Sequence, residues 1–494
     1  MSRLLGGPIA SARRRGLVLA GALVVSVAAC HAPTSAGGVA ARGYTPTPRE
    51  QAFLDTVQRR TFDWFWETTN ARNGLVPDRW PTKSFSSVAA VGFGLSAYLV
   101  GAERGWITRE QARERVLTTL RFFRDAPQGP GTSGITGYRG FVYHFLDMET
   151  GRRFERVELS TIDTGLLLMG VLACREYFDR ADAGDAEVRA LADTLYFRVD
   201  WPWAANGAPS LTMGWHPERV GTNGGFIEAR WIGYNEAMLL YALALGSPTH
   251  PLGPEAWTAW TSRYQWGRFH GQEFIQFAPL FGHQYSHVWI DYRGIRDDYT
   301  RRSGIDYFEN SRRATLSQQA YAAANPGGWR EYSSTLWGLT ASDGPLDSTV
   351  TIDGRPRTFH TYWARGAGLD EINDDGTLVP TAAGGSVPFA PEATIPTLVA
   401  MRERYGEPLF GRYGFLDAFN PTVRDAALPL RHGRIVPGTA WFDTDYLGID
   451  QGPILLMIEN HRTELLWRLV KKNPYITRGL CRSGFSGGWL AGRC

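Results

Sequence analysis

Apolar residues recur at helical spacing along most of the chain from residue 49 onward. In REQAFLDTVQRRTFDWFWET (49–68), Phe53, Val57, Thr61 or Phe62, and Phe65 share one face, which predicts an amphipathic helix. SSVAAVGFGLSAYLVGAERG, TREQARERVLTTLRFFRDA, STIDTGLLLMGVLACREYFD, DAEVRALADTLYFRV and NEAMLLYALALGS predict five more. NSRRATLSQQAYAAAN, PEATIPTLVAMRERYG and GPILLMIENHRTELLWRLVKK complete the series. Two starts are marked locally: Thr108 precedes Glu110 and Gln111, and Ser160 or Thr161 precedes an apolar run. Sequence-adjacent helices joined by long loops rich in Gly, Pro, Trp and Asp read as antiparallel helical hairpins. The expected fold class is all-α, and an α/α toroid suits the loops better than a four-helix bundle, whose connections are short.

The first 48 residues depart from this pattern. Arg3, Arg13, Arg14 and Arg15 precede the apolar run Gly16–Ala29, too short to span a bilayer and built like a signal peptide. The run ends in VAAC, which resembles a lipobox, so residues 1–29 are expected to be a lipoprotein signal peptide and Cys30 the lipid-modified residue. Residues 30–48 lack periodicity and read as a flexible tether. The expected address is a lipoprotein of the bacterial outer membrane facing the periplasm. Residues 49–475 form the expected single domain, because the Pro/Gly clusters at 125–134 and 381–389 are too short to be linkers. Residues 476–494 form a C-terminal tail in which Cys481 and Cys494 are placed to close a small loop in an oxidising compartment; Cys174 lies in an apolar run and reads as core.

Charge is nearly balanced, with 52 basic and 49 acidic residues. Without the four arginines at the start the balance is 48 against 49. Nucleic acid has no electrostatic footprint here. No second apolar stretch is long enough to cross a membrane, so membrane contact is expected through the lipid anchor alone. No CxxC, HExxH or EF-hand loop appears, and neither a metal nor a cofactor is predicted.

Aromatic content carries more information: 18 Trp, 20 Tyr and 25 Phe exceed what a core requires. Many of these rings stand among carboxylates, histidines and amides in ELSTIDT (158–164), RWIGYNEAM (230–238), FGHQYSHVWIDYR (281–293), DYFENSRRAT (306–315) and IDQGPILLMIEN (449–460). A sugar requires flat rings for its C–H faces, polar groups for its hydroxyls and carboxylates for acid–base chemistry. Burial of that many polar groups otherwise demands internal partners. Asp163 lies at a helix start, where an acidic residue also serves as a cap or dipole partner. Glu236 has Trp231, Tyr234 and Asn235 around it, company that a solvent-facing first-turn glutamate does not need.

Taken together, VGFGL, HFLDMETG (144–151), ELSTIDTGLL, MGWHPE, GYNEAMLLYALALGSPTHP, GHQYSHVWIDYRGI, DYFENSRRA, WGLTASDGP, YWARGAG, DDGTLVPTAA, YGFLDAFNP and GIDQGPILLMIENHR resemble the bacterial glucoamylase-like proteins of glycoside hydrolase family 144, a group that includes endo-β-1,2-glucanases. The likeness runs from about residue 50 to about 470. It implies an (α/α)6 barrel that hydrolyses β-1,2-glucan with inversion, and it assigns the general acid to Glu236. Inversion requires a protonated and an ionised carboxyl on opposite sides of the scissile bond. Glu158 and Asp163 are the candidate bases, with Asp147 in a relay. Five helical residues turn the chain by about 140° past a full circle, so Glu158 is expected in the loop before the helix.

For sugar binding the richest block supplies His283, Gln284, His287, Trp289, Asp291 and Arg293, of which the last four alternate like one face of an extended segment. Trp231 and Tyr234 flank the acid, and Arg365, Asp375 and Arg79 are further candidates. Asp450 and Glu459 read as scaffold, buried against backbone or arginine. Three readings stand: a β-1,2-glucan hydrolase, endo- or exo-acting; a glycan-binding lipoprotein without chemistry; and a transglycosylase, lyase or other-linkage glucosidase on the same toroid. The neutral charge gives the lyase no support.

Overall fold

The computed structural model describes residues 44–369 and 371–494. The expected signal peptide, Cys30 and the tether as far as residue 43 lie outside the described residues. The end of the expected tether is already ordered. Thr47 caps helix α1 (Pro48–Thr68), its hydroxyl accepting from the Glu50 amide while the Glu50 carboxylate accepts from the Thr47 amide.

Sequence-adjacent helices pack as pairs, as the periodicity predicts. α2 (Val88–Glu103) lies against α3 (Arg109–Asp125), and α4 (Thr161–Tyr177) against α5 (Ala183–Phe197). α6 (Met238–Gly246) lies against α7 (Glu255–Thr261), α8 (Phe281–Trp289) against α9 (Tyr307–Ala324), and α10 (Pro380–Gly384) against α11 (Pro391–Tyr405). α12 (Gly448–Thr463) returns to pack on α1. The first helix of each of these five pairs, and α12, is buried nearly all round, whereas α3 and α5 bury one stripe. The buried helices touch one another: α2 meets α4 and α12, α4 meets α6, α8 meets α6 and α12, and α10 meets α12.

Contact between α2 and α4 is backbone to backbone. A Cβ on Gly92 would stand 2.2 Å from the Leu166 carbonyl oxygen, and one on Gly170 would stand 2.2 Å from the Gly92 oxygen. No other residue fits at either position.

The all-α expectation needs amendment, because short two- to four-stranded sheets fill the spaces between helices. Their cause is the length of the loops, whose amides and carbonyls must pair locally once buried. A second correction concerns the 281–293 block. Residues 281–289 are helical, so the proposed alternation across His287, Trp289, Asp291 and Arg293 is not that of a strand. After Trp289 the helix ends at an extended Ile290, and Arg293 lies in a turn.

At the far end, α13 (Pro474–Arg482) starts inside the expected domain and packs on α6. Cys481 and Cys494 form a disulfide, and Ser486 bridges to Arg296, so residues 476–494 are part of the compact unit that runs to Cys494. Among the described residues, no helix is long and apolar enough to cross a membrane.

Candidate functional site

Two short strands assemble the first half of the site. Phe141–Tyr143 pairs antiparallel with Leu159–Ser160, with Tyr143 opposite Leu159. The next residues outward, His144 and Glu158, therefore face each other, and the His144 amide donates to the Glu158 carbonyl at 3.0 Å. Their side chains meet at 2.7 Å, imidazole Nδ1 to carboxylate Oε1. Ser160 ends the strand and caps α4: its hydroxyl accepts from the Asp163 amide and donates to Asp163 Oδ2 at 2.5 Å. The other Asp163 oxygen stands 3.5 Å from His144 Nε2. His144 is thus a hub between Glu158, which lies before the helix as expected, and Asp163, which lies in its first turn.

The electrostatics of the hub follow from this geometry. Burial opposes charge on His144, but the Asp163 charge and the hydrogen bond with Glu158 prevail and raise it to about 9. Glu158 is pushed up by burial and pulled below its ordinary value by His144. Asp163 is almost wholly buried, and burial raises it despite His144.

Glu236 lies in the turn before α6 rather than in its first helical turn. Its backbone is fixed by Ser286, whose hydroxyl donates to the Glu236 carbonyl at 2.8 Å while accepting from the Leu239 amide. The segment is tied to α4 by Trp231, whose indole donates to Thr161 Oγ1 at 2.9 Å. Trp231 is buried beneath the site, and so is Tyr234, which stacks parallel to Tyr307 with ring centres 6.0 Å apart. Burial, with a smaller contribution from the Asp163 charge, raises Glu236 to about 7. Desolvation holds a proton on this carboxyl close to neutrality.

A second group of carboxylates completes the site. Strand Arg79–Trp80 pairs with Tyr446–Leu447, which leads into α12 and brings Asp78 and Arg79 to the start of the helix that carries Asp450. Arg79 donates to Asp343 Oδ2 at 2.6 Å and also meets Asp78. The Asp343 amide donates to Asp417 Oδ2 at 2.8 Å. Asp417 Oδ1 and Asp450 Oδ2 are buried without a donor, and burial drives Asp417 far upward and Asp450 to about 8. Burial also raises the Tyr285 phenol, as do the charges of Asp450, Glu236 and Asp417. Tyr362 feels Asp450, Asp417, Asp78 and Asp343, and its ring is 53% exposed. A surface cavity of about 250 Å³ lined by Arg330, Asp353, Arg424 and Asp425 shares no residue with this site.

The expected binding block is not part of this surface. His283 is fully buried with Nε2 on the Phe277 carbonyl, and burial lowers it to about 4. Gln284 donates to Ser386 and to the Ala382 carbonyl. His287 meets Ser311, and burial lowers it to about 3. Trp289 donates to Ser96 from within the core. Asp291 is paired with Arg293 and Lys471, and Arg293 also with Glu464. Burial is the physical reason why His283, Gln284, His287, Trp289 and Asp291 are not available to a ligand, even though His283 Nδ1, Gln284 Oε1 and His287 Nδ1 have no internal partner; Arg293 is held by its ion pairs. Arg365 and Asp375 likewise form a bidentate pair, two contacts of 2.8 Å, with neither residue reaching solvent. Asp147 Oδ1 accepts from the Glu149 and Thr150 amides and the Thr150 hydroxyl, and its side chain makes no hydrogen bond to His144, Glu158 or Asp163.

Arg79 is the one member of the weaker candidates that the structure brings to the site. Glu459 has the arginine partner expected of scaffold, Arg104 at 2.8 Å, but Asp450 has none. His144, Asp78, Asp343, Asp417, Tyr285 and Tyr362 were not singled out from the sequence. His144 opens HFLDMETG, Asp343 lies in WGLTASDGP and Asp417 in YGFLDAFNP, so the blocks held the signal and the choice within them missed it.

A helical fold with polar residues gathered at the ends of its buried helices belongs to the glucoamylase-like class of architecture. Residues 228–474, half of the chain, match the family model described as "Putative glucoamylase". The chain belongs to this glucoamylase-like family. It is 30% identical over 464 residues to an exo β-1,2-glucooligosaccharide sophorohydrolase (non-reducing end) of Parabacteroides distasonis, covering 87% of this chain and 57% of that protein. The chain therefore spans little more than half the length of that relative. Among solved structures it resembles an endo-β-1,2-glucanase from Chitinophaga pinensis in a sophorotriose and glucose complex, with a TM-score of 0.74, 28% identity, 89% of this chain and 99% of that one. A β-1,2-glucanase from Parabacteroides distasonis gives the same TM-score and identity over 89% of this chain and 60% of its own.

Proposed function

We propose that the protein hydrolyses β-1,2-glucan by inverting acid–base chemistry, with Glu236 as general acid and Glu158 as general base. The observation that carries this reading is a pair of carboxyls whose surroundings drive them apart: Glu236 is raised to about 7, and Glu158 is lowered beside His144. Two titrating groups separated in this way are what a paired acid and base require at one pH. Glu158 keeps solvent access for a water, whereas Asp163 is sealed and serves to hold His144 and to lift Glu236. Burial raises Asp450, which therefore holds a proton more tightly than Glu158. The linkage is supported by the relatives named for β-1,2-glucans.

The six helix pairs support an (α/α)6 toroid in which the carboxylates line the cleft at one end. The arginines, apolar run and VAAC ending at Cys30 support export and lipid attachment on the periplasmic side.

Purified protein incubated with linear β-1,2-glucan, β-1,3-glucan, β-1,4-glucan and starch should release sugar from the first alone. Chromatography of the products separates the two modes of attack: disaccharide from the outset marks exo cleavage, and a ladder marks endo cleavage. Absence of release from β-1,2-glucan sinks the proposal.

A further inference from the structure

We propose that Asp343, His432 and Asp443, with Asp445 beside them, bind a divalent transition-metal cation, Zn²⁺ or Mn²⁺. Four side chains from two loops meet here. Asp343 follows the strand Ala341–Ser342. His432 precedes Arg434–Val436, which pairs with Ala440–Phe442, so that it stands opposite the turn carrying Asp443 and Asp445. His432 Nε2 lies 2.7 Å from Asp443 Oδ1, 3.1 Å from Asp343 Oδ2 and 3.5 Å from Asp445 Oδ2. Ligand atoms of Asp343, His432 and Asp443 all fall within 4.8 Å of one another.

Hydrogen bonding within the cluster does not account for it. His432 Nε2 makes no aligned hydrogen bond despite these distances, and Asp443 Oδ2 and Asp445 Oδ2 are buried with no donor at all. Both aspartates are fully buried. One ring N–H serves one acceptor, whereas three carboxylates converge here. A cation with four or more coordination positions serves them together. Bonds of about 2.1 Å in tetrahedral geometry separate ligand atoms by roughly 3.4 Å; His432 Nε2 stands 2.7 and 3.1 Å from Asp443 and Asp343, and the three ligand atoms lie within 4.8 Å of one another.

Backbone amides and Arg79 hold the three carboxylates in place. Asp443 Oδ1 accepts from the Thr444 amide at 2.5 Å and the Asp445 amide at 3.0 Å. Asp445 Oδ1 accepts from the Thr82 amide at 2.9 Å, and Asp343 is steered by Arg79. These contacts fix the orientation of the carboxylates and leave Asp443 Oδ2 and Asp445 Oδ2 without a donor and open to the ion. One imidazole with carboxylates selects Zn²⁺ or Mn²⁺, whereas Ca²⁺ prefers all-oxygen sites and Mg²⁺ retains its waters. The ion would clamp the 341–345 loop to the 432–445 hairpin beside Asp417 and Asp450. No short motif contains these ligands, which is why the sequence predicts no metal.

The experiment is calorimetric titration of EDTA-stripped, dialysed protein with ZnCl₂, MnCl₂ and CaCl₂, with uptake counted by elemental analysis. One equivalent of Zn²⁺ or Mn²⁺ is expected, with weaker uptake of Ca²⁺, and His432→Ala and Asp445→Asn should each lose about tenfold or more in affinity. Crystals soaked in zinc should give an anomalous peak between the four side chains, a readout that needs no variant. No stoichiometric uptake by folded wild-type protein, a peak elsewhere, or full affinity in both folded variants overturns the site. None of these results depends on glucan hydrolysis.

Discussion

Glu236→Gln separates the proton held by this residue from its shape. The wild-type carboxyl titrates at about 7 in the folded chain against an ordinary 4.5. At about 1.36 kcal/mol per tenfold change in proton affinity, that gap corresponds to about 3 kcal/mol. Because the folded value is the higher one, the stability tied to this proton is complete below about 4.5 and is lost as pH rises through about 7. Glutamine copies the protonated form and never pays this cost. Urea unfolding of both proteins at pH 4.5 and pH 8.5 should therefore show the variant gaining about 2–3 kcal/mol relative to wild type at the alkaline end. On β-1,2-glucan the same variant should lose at least about a hundredfold in kcat across the range. The alkaline limb of wild-type kcat/KM should fall near pH 7. Parallel stability profiles would refute the buried-proton argument, and near-normal turnover would remove Glu236 from the acid role.

Asp163→Asn removes a negative charge that raises Glu236, so the alkaline limb of kcat/KM should move to lower pH; a limb that stays in place or moves upward contradicts the coupling. His144→Gln frees Glu158 from its 2.7 Å partner, so the acidic limb should move upward while kcat drops by about tenfold or more; an unchanged acidic limb excludes Glu158 as the base. Arg365→Met strands a sealed carboxylate and should destabilise the fold by about 3–5 kcal/mol in urea titration, with partial recovery in Arg365→Met/Asp375→Asn; a neutral single variant would contradict the burial of the pair. Trp289→Phe should lower the thermal midpoint and leave KM for glucan unchanged, and a raised KM would return α8 to the binding surface.

Helix positions were legible because their determinants are local. Thr108 and Ser160 cap the helices that they announce, and the 3.6-residue period survives any tertiary arrangement. Glu236, Glu158 and Asp163 were legible as candidates through their blocks. The His144 hub was not, because it depends on Tyr143 pairing with Leu159 across a loop whose register no short pattern reveals. The second carboxylate group is harder still: Asp78, Asp343, Asp417 and Asp450 come from four separate segments, and each alone reads as a turn or helix-start residue. The 281–293 block misled because most of its polar residues are buried against other segments, as Gln284 is on Ser386 and His287 on Ser311, and composition does not distinguish a ligand from an internal partner.

The glycine contact between α2 and α4 sets a limit on how this protein diverges. With Gly92 and Gly170 allowing two backbones to touch, the helices interlock and neither slides along the other. Their first turns carry Ser87 and Ser160, whose strands hold Phe145 and Glu158 on either side of His144. The acid–base hub is therefore gauged from below by a fixed spacer, while the Tyr362 and Trp80 rings belong to exposed residues. On the proposed function, changes of glucan length or mode of attack are expected around these exposed residues, and a single methyl group at either glycine would disturb the chemistry before it touched specificity.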